Sequence, residues 1–277
     1  MSEPSRYRDG YFTREGLRLH YRDYPGSAAR PPLLCLHGLT RNARDFADFA
    51  ERMSPAHRVL CLEFRGRGES AYAKDPMSYV PLTYLQDLEA LIRELKLDRF
   101  ILFGTSLGGL LTMLLSMSGK GRIAGALLND VGPELDAAGL ERIRGYVGRS
   151  QSWPTWMHAA RWFSETLAEV YPKWSLEQWL IFAKRICRLN ASGRIVFDYD
   201  MRIADPFKLP GGEAGFDPWS AFRGLENAPL LVVRGALSDL LTAETLQQMQ
   251  MPLMESVSVP AVGHAPTLDE PEAVAAI

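Results

Sequence analysis

Gly104-Thr105-Ser106-Leu107-Gly108 sets a serine between two glycines, after the strand-like run 99–103 and ahead of the longer apolar run 107–117. A strand that passes straight into a helix needs a sharp turn, and such a turn projects the side chain of its central residue. The residues two positions away must then be small, hence glycine on both sides. A hydroxyl displayed there lies beside the N–H groups and positive dipole end of the helix, which suits a developing oxyanion. The chemistry implied is nucleophilic attack on a carbonyl, with Ser106 as nucleophile. A bare Gly-x-Ser-x-Gly is also what a turn capping a buried helix looks like, so the partners decide.

Serine is a weak nucleophile until a base takes its proton. Of the five histidines, His20 and His57 lie in or beside strand-like runs and read as structural or exposed. His158 has no partner signal, and His37, ahead of Gly38 at a strand end, is placed to shape a loop. His264, in Val262-Gly263-His264-Ala265-Pro266, follows the last strand on a short loop from which a ring can reach across strand ends. It is the expected base. The base needs a carboxylate to fix its tautomer and stabilise the imidazolium. Asp239, in Gly235-Ala236-Leu237-Ser238-Asp239, gives the chain order Ser, Asp, His and is the expected acid. Its other use would be as a helix N-cap, a job Thr242 can fill. Asp130, after Leu127-Leu128-Asn129, is the rival, because ligands gather at the carboxyl ends of strands in open parallel sheets. The oxyanion is expected to meet the backbone N–H of Leu107 and one from the loop after His37-Gly38, that of Leu39.

These residues need a scaffold that brings strand ends together. Residues 10–24 alternate apolar and polar around Glu15-Gly16, the pattern of an edge β-hairpin. Leu33-Leu34-Cys35-Leu36 and residues 58–64 read as short buried strands, the second closed by Arg65-Gly66-Arg67-Gly68. Residues 42–53 carry Phe46, Phe49, Ala50 and Met53 on one helical face. In 83–96, Leu85, Leu88, Leu91, Ile92 and Leu95 recur at helical spacing, with Thr83 and Gln86 as a capping box. Residues 123–129 are the next strand. From about 132 to 219 the rhythm gives way to helical, Trp-rich and Pro-interrupted sequence. A strand at 230–234, a helix at 242–249 and a strand at 255–259 then restore it. The expectation is an α/β protein with a mostly parallel central sheet, helices on both faces and a helical cap insertion. The core is expected at 1–131 and 220–277, and the cap at 132–219. The chain stops at Ile277 part-way into a helix opened by Glu270-Pro271, so its C-terminus is expected to be either unusually short or incomplete.

Composition narrows the function classes. A formal charge of -2, with no Lys/Arg-rich run, gives no field favouring nucleic acid or an anionic membrane. The apolar run 107–117 is too short and too Gly/Ser-punctuated to span a bilayer, and residues 1–10 carry no apolar signal core. An odd cysteine count of 3, with Cys35 and Cys61 in strand-like runs and Cys187 beyond, reads as buried reduced thiols in a cytoplasmic protein. No His-Glu-x-x-His or paired-Cys spacing exists, so no metal is expected, and no cofactor. Gly66-x-Gly68-x-x-Ala71 fits a dinucleotide fingerprint formally, but Pro76 and Pro81 follow, so it reads as a tight loop. All six tryptophans fall between Trp153 and Trp219, in or next to the insertion, and read first as packing. Arg185, Arg194 and Arg202 could bind a substrate carboxylate, with solvated surface as the plainer reading. The expected partner is a small-molecule substrate, and the protein a monomer or homodimer.

Together, His37-Gly38-Leu39, Arg65-Gly66-Arg67-Gly68-Glu69-Ser70, Gly104-Thr105-Ser106-Leu107-Gly108-Gly109, Asp239 and Gly263-His264 resemble the α/β-hydrolase superfamily, from Gly10 to the end of the chain. The resemblance implies an eight-stranded sheet with a helical cap over the site. Dehalogenases and epoxide hydrolases of that fold carry aspartate where Ser106 stands, which sets those chemistries aside. Its C–C bond hydrolases usually have tryptophan after the histidine, where this chain has Ala265. The pattern looks closest to small-molecule esterases and enol-lactonases. The function expected from it is cleavage of a carboxylic ester or lactone through an acyl-enzyme on Ser106. A C–C bond hydrolase with the same triad, and a ligand-sensing protein that keeps the fold, stay open as rivals.

Overall fold

The computed structural model describes residues 6–118, 121–206 and 217–277. Short apolar runs build the centre. Leu33–Leu36 (β3) and Val59–Leu62 (β4) are buried at every position, as parallel strands covered on both faces must be. Leu33 and Cys35 pack in one apolar layer with Phe46 and Phe49. Leu34 and Leu36 pack in the other, with Leu88, Leu91 and Leu111. This is the two-residue period of a strand made visible.

Arg8–Arg14 (β1) and Leu17–Tyr24 (β2) form the expected antiparallel edge hairpin around Glu15-Gly16. Phe100–Thr105 (β5), Ile123–Asn129 (β6), Leu230–Gly235 (β10) and Met254–Val259 (β11) complete an eight-stranded sheet. Its order is β1-β2-β4-β3-β5-β6-β10-β11. From β4 onward every pairing is parallel. Helices Ala47–Met53 (α1), Pro81–Glu94 (α2), Leu107–Ser118 (α3), Ala243–Gln248 (α8) and Pro271–Ala276 (α9) belong to this core. The sheet and its helices are those that the resemblance implied.

Two local expectations are corrected. The helix placed at 83–96 starts at Pro81, with Val80 as an N-cap that makes no side-chain bond, so Thr83 and Gln86 form no capping box. Proline at the first helical position wins because its missing N–H is not needed there. The second concerns the stretch between β6 and β10. It contains Ala137–Tyr146 (α4), Trp156–Thr166 (α5), Leu176–Ile186 (α6) and Pro218–Arg223 (α7), but also a small antiparallel sheet. That sheet joins Ser152–Trp153 (β7), Ile195–Phe197 (β9) and Cys187–Leu189 (β8). Strands of two or three residues are too short to show a period in sequence. Part of the expected insertion, 207–216, lies outside the described residues. The Gly66–Gly68 segment is the tight loop expected, closed by a Gly66 N–H to Ala71 carbonyl bond of 2.9 Å. All three cysteines are buried with free thiols.

Candidate active site

Ser106 stands where β5 meets α3, with φ of 52°, the left-handed conformation that a side chain adopts at a cost. The turn closes because its flanks lack side chains. A Cβ on Gly104 would lie 2.5 Å from the Gly108 carbonyl carbon, and one on Gly108 would collide with the Leu36 carbonyl oxygen. The Ser106 N–H donates to the Asn129 carbonyl at 3.0 Å, tying the turn to the end of β6.

His264 reaches this turn from the loop after β11. Its Nε2 lies 2.9 Å from Ser106 Oγ, and its Nδ1 lies 2.7 Å from Asp130 Oδ2. The loop is held from both sides. Asn129 Nδ2 donates to the Pro266 carbonyl at 2.8 Å, the Tyr171 hydroxyl to the Ala265 carbonyl at 2.7 Å, and the Gly263 N–H to the Val170 carbonyl at 2.7 Å.

The carboxylate on the imidazole is thus that of Asp130 and not of Asp239, a correction to the favoured sequence reading. Asp130 is the first residue past β6, fully buried, and its N–H donates to the Val233 carbonyl at 2.7 Å. Its Oδ1 accepts from the Gly235 N–H at 2.8 Å, and its Oδ2 accepts from the Ser238 hydroxyl at 2.5 Å as well as from His264. Four residues past β10, Asp239 sits on a loop drawn toward α4, where the Asp136 N–H donates to the Leu240 carbonyl at 2.9 Å. There it forms a two-bond ion pair with Arg142, through Nε and through Nη2 at 2.7 Å. Burial pushes the Asp239 carboxyl up, but Arg142 outweighs it and holds the group below its ordinary value. Ser238 gave no sequence signal. Only the approach of β10 to β6 brings it to Asp130.

The donors expected for an oxyanion are set by backbone geometry. Leu107 opens α3, so its N–H has no intrahelical acceptor. On the other side, the Gly38 carbonyl interacts with His37 Nδ1 at 2.7 Å and accepts from the Arg41 N–H at 3.1 Å. A planar trans peptide turns its N–H away from its carbonyl, so this bond aims the Leu39 N–H to the opposite side. The His37 tautomer is fixed as well, because its Nε2 accepts from the Phe64 N–H at 3.2 Å. Burial lowers the His37 pKa to about 4, which keeps the ring neutral and Nδ1 a donor.

A cavity of about 910 Å³ opens beside Ser106 and His264. Leu39 and Arg41, from the loop after β3, line it on one side, and Trp162, Phe163 and Phe197, from the stretch between β6 and β10, also line it. Of the other histidines, His20 is buried in an ion-pair network, His57 contacts the Pro31 carbonyl through Nδ1, and His158 is exposed. Arg185 lines the cavity, whereas Arg194 bonds Ser152 and Arg202 pairs with Asp200. Among the described residues, no three His, Cys, Asp or Glu side chains are grouped to hold a metal ion, and no helix is long and apolar enough to cross a membrane.

Comparison with known proteins agrees with this architecture. A family model described as the alpha/beta hydrolase family matches residues 33–277. A 3-hydroxybutyrate-oligomer hydrolase of Cupriavidus necator is 35% identical over 269 residues, covering 93% of this chain and 90% of that protein. A crystal structure of an alpha/beta hydrolase from Novosphingobium aromaticivorans superposes with a TM-score of 0.96 at 57% identity, covering 99% of this chain and 97% of that one. An esterase from Mycobacterium tuberculosis, at 19% identity and a TM-score of 0.68 over 99% of this chain and 89% of its own, is similar in fold alone.

Proposed function

The chain belongs to the alpha/beta hydrolase family, and from that premise we propose that it is a serine hydrolase cleaving a small carboxylic ester or lactone through an acyl-enzyme on Ser106. One observation carries the proposal: the unbroken relay from Ser106 Oγ to His264 Nε2 at 2.9 Å and from His264 Nδ1 to Asp130 Oδ2 at 2.7 Å. His264 takes the hydroxyl proton as Oγ attacks the ester carbonyl, and Asp130 stabilises the imidazolium. The N–H groups of Leu39 and Leu107 receive the oxyanion. Collapse expels the alcohol, protonated by His264. Water, activated by the same ring, then attacks the acyl-enzyme and releases the acid.

The insertion, 132–219, serves in this reading as a cap on the core formed by 1–131 and 220–277, excluding bulk water from the cavity. The relative named for 3-hydroxybutyrate oligomers supports short oligoesters of hydroxy acids as the substrate class. Ser106→Ala is expected to lower ester turnover more than about a thousandfold while leaving the thermal melt in place. A fluorophosphonate is expected to label Ser106 in the parent protein. Undiminished hydrolysis by the alanine variant would end the proposal. Preferential cleavage of a vinylogous diketone over the esters would transfer it to C–C bond hydrolysis.

A further inference from the structure

A guanidinium presents two hydrogen-bonding edges, Nε with one Nη and the pair of Nη groups. Two arginines on the cavity wall have one edge filled from within the protein. Arg41 donates through Nε and Nη2 to Asp45, at 2.6 and 2.9 Å, and its guanidinium carbon lies 4.4 Å from the centre of the Phe182 ring. Arg142 donates through the same two nitrogens to Asp239. Each side chain is held in place, and in neither does the carboxylate engage Nη1.

Both lie at the catalytic end of the cavity. A Cβ built on Gly38 would be 3.3 Å from Arg41 Cγ and 3.7 Å from Ser106 Cβ, so the arginine stem and the nucleophile flank the same small gap. Asp239, the partner of Arg142, directly follows Ser238, whose hydroxyl donates to the same Asp130 oxygen that meets His264 Nδ1. Tyr146, also on the wall, shares a side-chain hydrogen bond with Arg142 and lies within the field of Arg41. Arg185, which the sequence singled out, is instead shared between Asp48 and Asp269, and Asp48 is exposed.

We propose that Arg41 and Arg142 form a carboxylate-recognition subsite, so that the preferred esters carry a free carboxylate on the part of the molecule held in the cavity. This deepens the ester-hydrolase reading and rests on it. Planar N–H forks match a carboxylate, and fixing them in advance removes much of the entropy cost of binding. Low dielectric in the cavity strengthens the interaction. A carboxylate anchored at a set distance from Ser106 makes cleavage count from the acid end of the chain.

The test uses the linear dimer of 3-hydroxybutyrate as free acid and as primary amide, titrated calorimetrically into the Ser106→Ala protein. The acid is expected to bind about ten- to a hundredfold more tightly than the amide. Adding Arg41→Gln or Arg142→Gln should shrink that preference to about threefold or less, and Arg142→Lys should retain part of it. Thermal melts confirm folding, and if Arg41→Gln does not fold, Arg142→Gln decides. Equal binding of acid and amide, no binding of the acid, or a preference that survives the Arg142 replacement overturns the subsite. Turnover by the parent protein is scored separately. Equal kcat/KM for the two forms also overturns the subsite and leaves the hydrolase standing. Arginine-dependent binding with neither form hydrolysed supports the subsite and overturns the hydrolase.

Discussion

Asp130 and Asp239 each follow a strand of the parallel sheet, and the difference between them is one of partners. The first holds the imidazole, a serine hydroxyl and a backbone N–H, and the second holds an arginine. Asp130→Asn is therefore expected to lower kcat on a small neutral aryl ester roughly 10³- to 10⁴-fold, because the imidazolium loses its counter-charge and the ring its tautomer. Asp239→Asn is expected to cost less than about tenfold on the same ester. Steady-state kinetics with 4-nitrophenyl acetate checks both, and a deeper loss at 239 would reverse the assignment. Ser106 and His264 were legible because a strained turn and a short loop leave marks in local sequence. The choice between acids was not. It depends on Arg142, 97 residues away from Asp239 in the chain, and no local pattern carries that distance.

Strands and helices of the core were legible to within a few residues, since apolar runs bounded by glycine and proline have one economical reading. The small sheet of the insertion was not, for want of length. One element contact is open to measurement. His20 on β2 bridges Glu63, just past β4, and Asp9 on β1, at 2.8 Å each. Burial works against the His20 imidazolium, but bonding and charge from Glu63 and Asp9 prevail and raise its pKa above 6.5. Burial likewise works against the Glu63 carboxylate, yet His20 and the N–H groups of Glu69 and Ala43 hold its pKa below 4.5. The histidine's contribution to stability is full below pH 6.5 and fades as pH rises through its elevated value. That of the glutamate is full above pH 4.5 and fades as pH falls through its depressed value. Glu63→Gln should thus destabilise most in the window between, by about 3 kcal/mol in urea melts at pH 5.5, and less at pH 9. A penalty that grows toward alkaline pH would contradict this account.

At the scale of the molecule, the cavity joins two sources of wall. Loops at the carboxyl ends of the sheet bring the polar groups, and the stretch between β6 and β10 brings aromatic surface such as Trp162 and Phe163. With 4-nitrophenyl esters of growing acyl length, kcat/KM is expected to rise about fourfold per methylene, from about 0.8 kcal/mol each, until the aromatic wall is met. Trp162→Ala should move that limit to longer chains. A profile identical to the parent's would remove Trp162 from the acyl wall. The fold, and the serine and histidine of the site, could be argued from sequence, but cavity shape could not, because it depends on how aromatic helices pack on a distant loop. The relay's chain order has one more consequence. His264 follows Ser106 by 158 positions, so a ribosome releases the hydroxyl long before the ring that activates it in the proposed mechanism. In that mechanism the half-made protein carries an unactivated hydroxyl until β11 and the loop that bears His264 have been made.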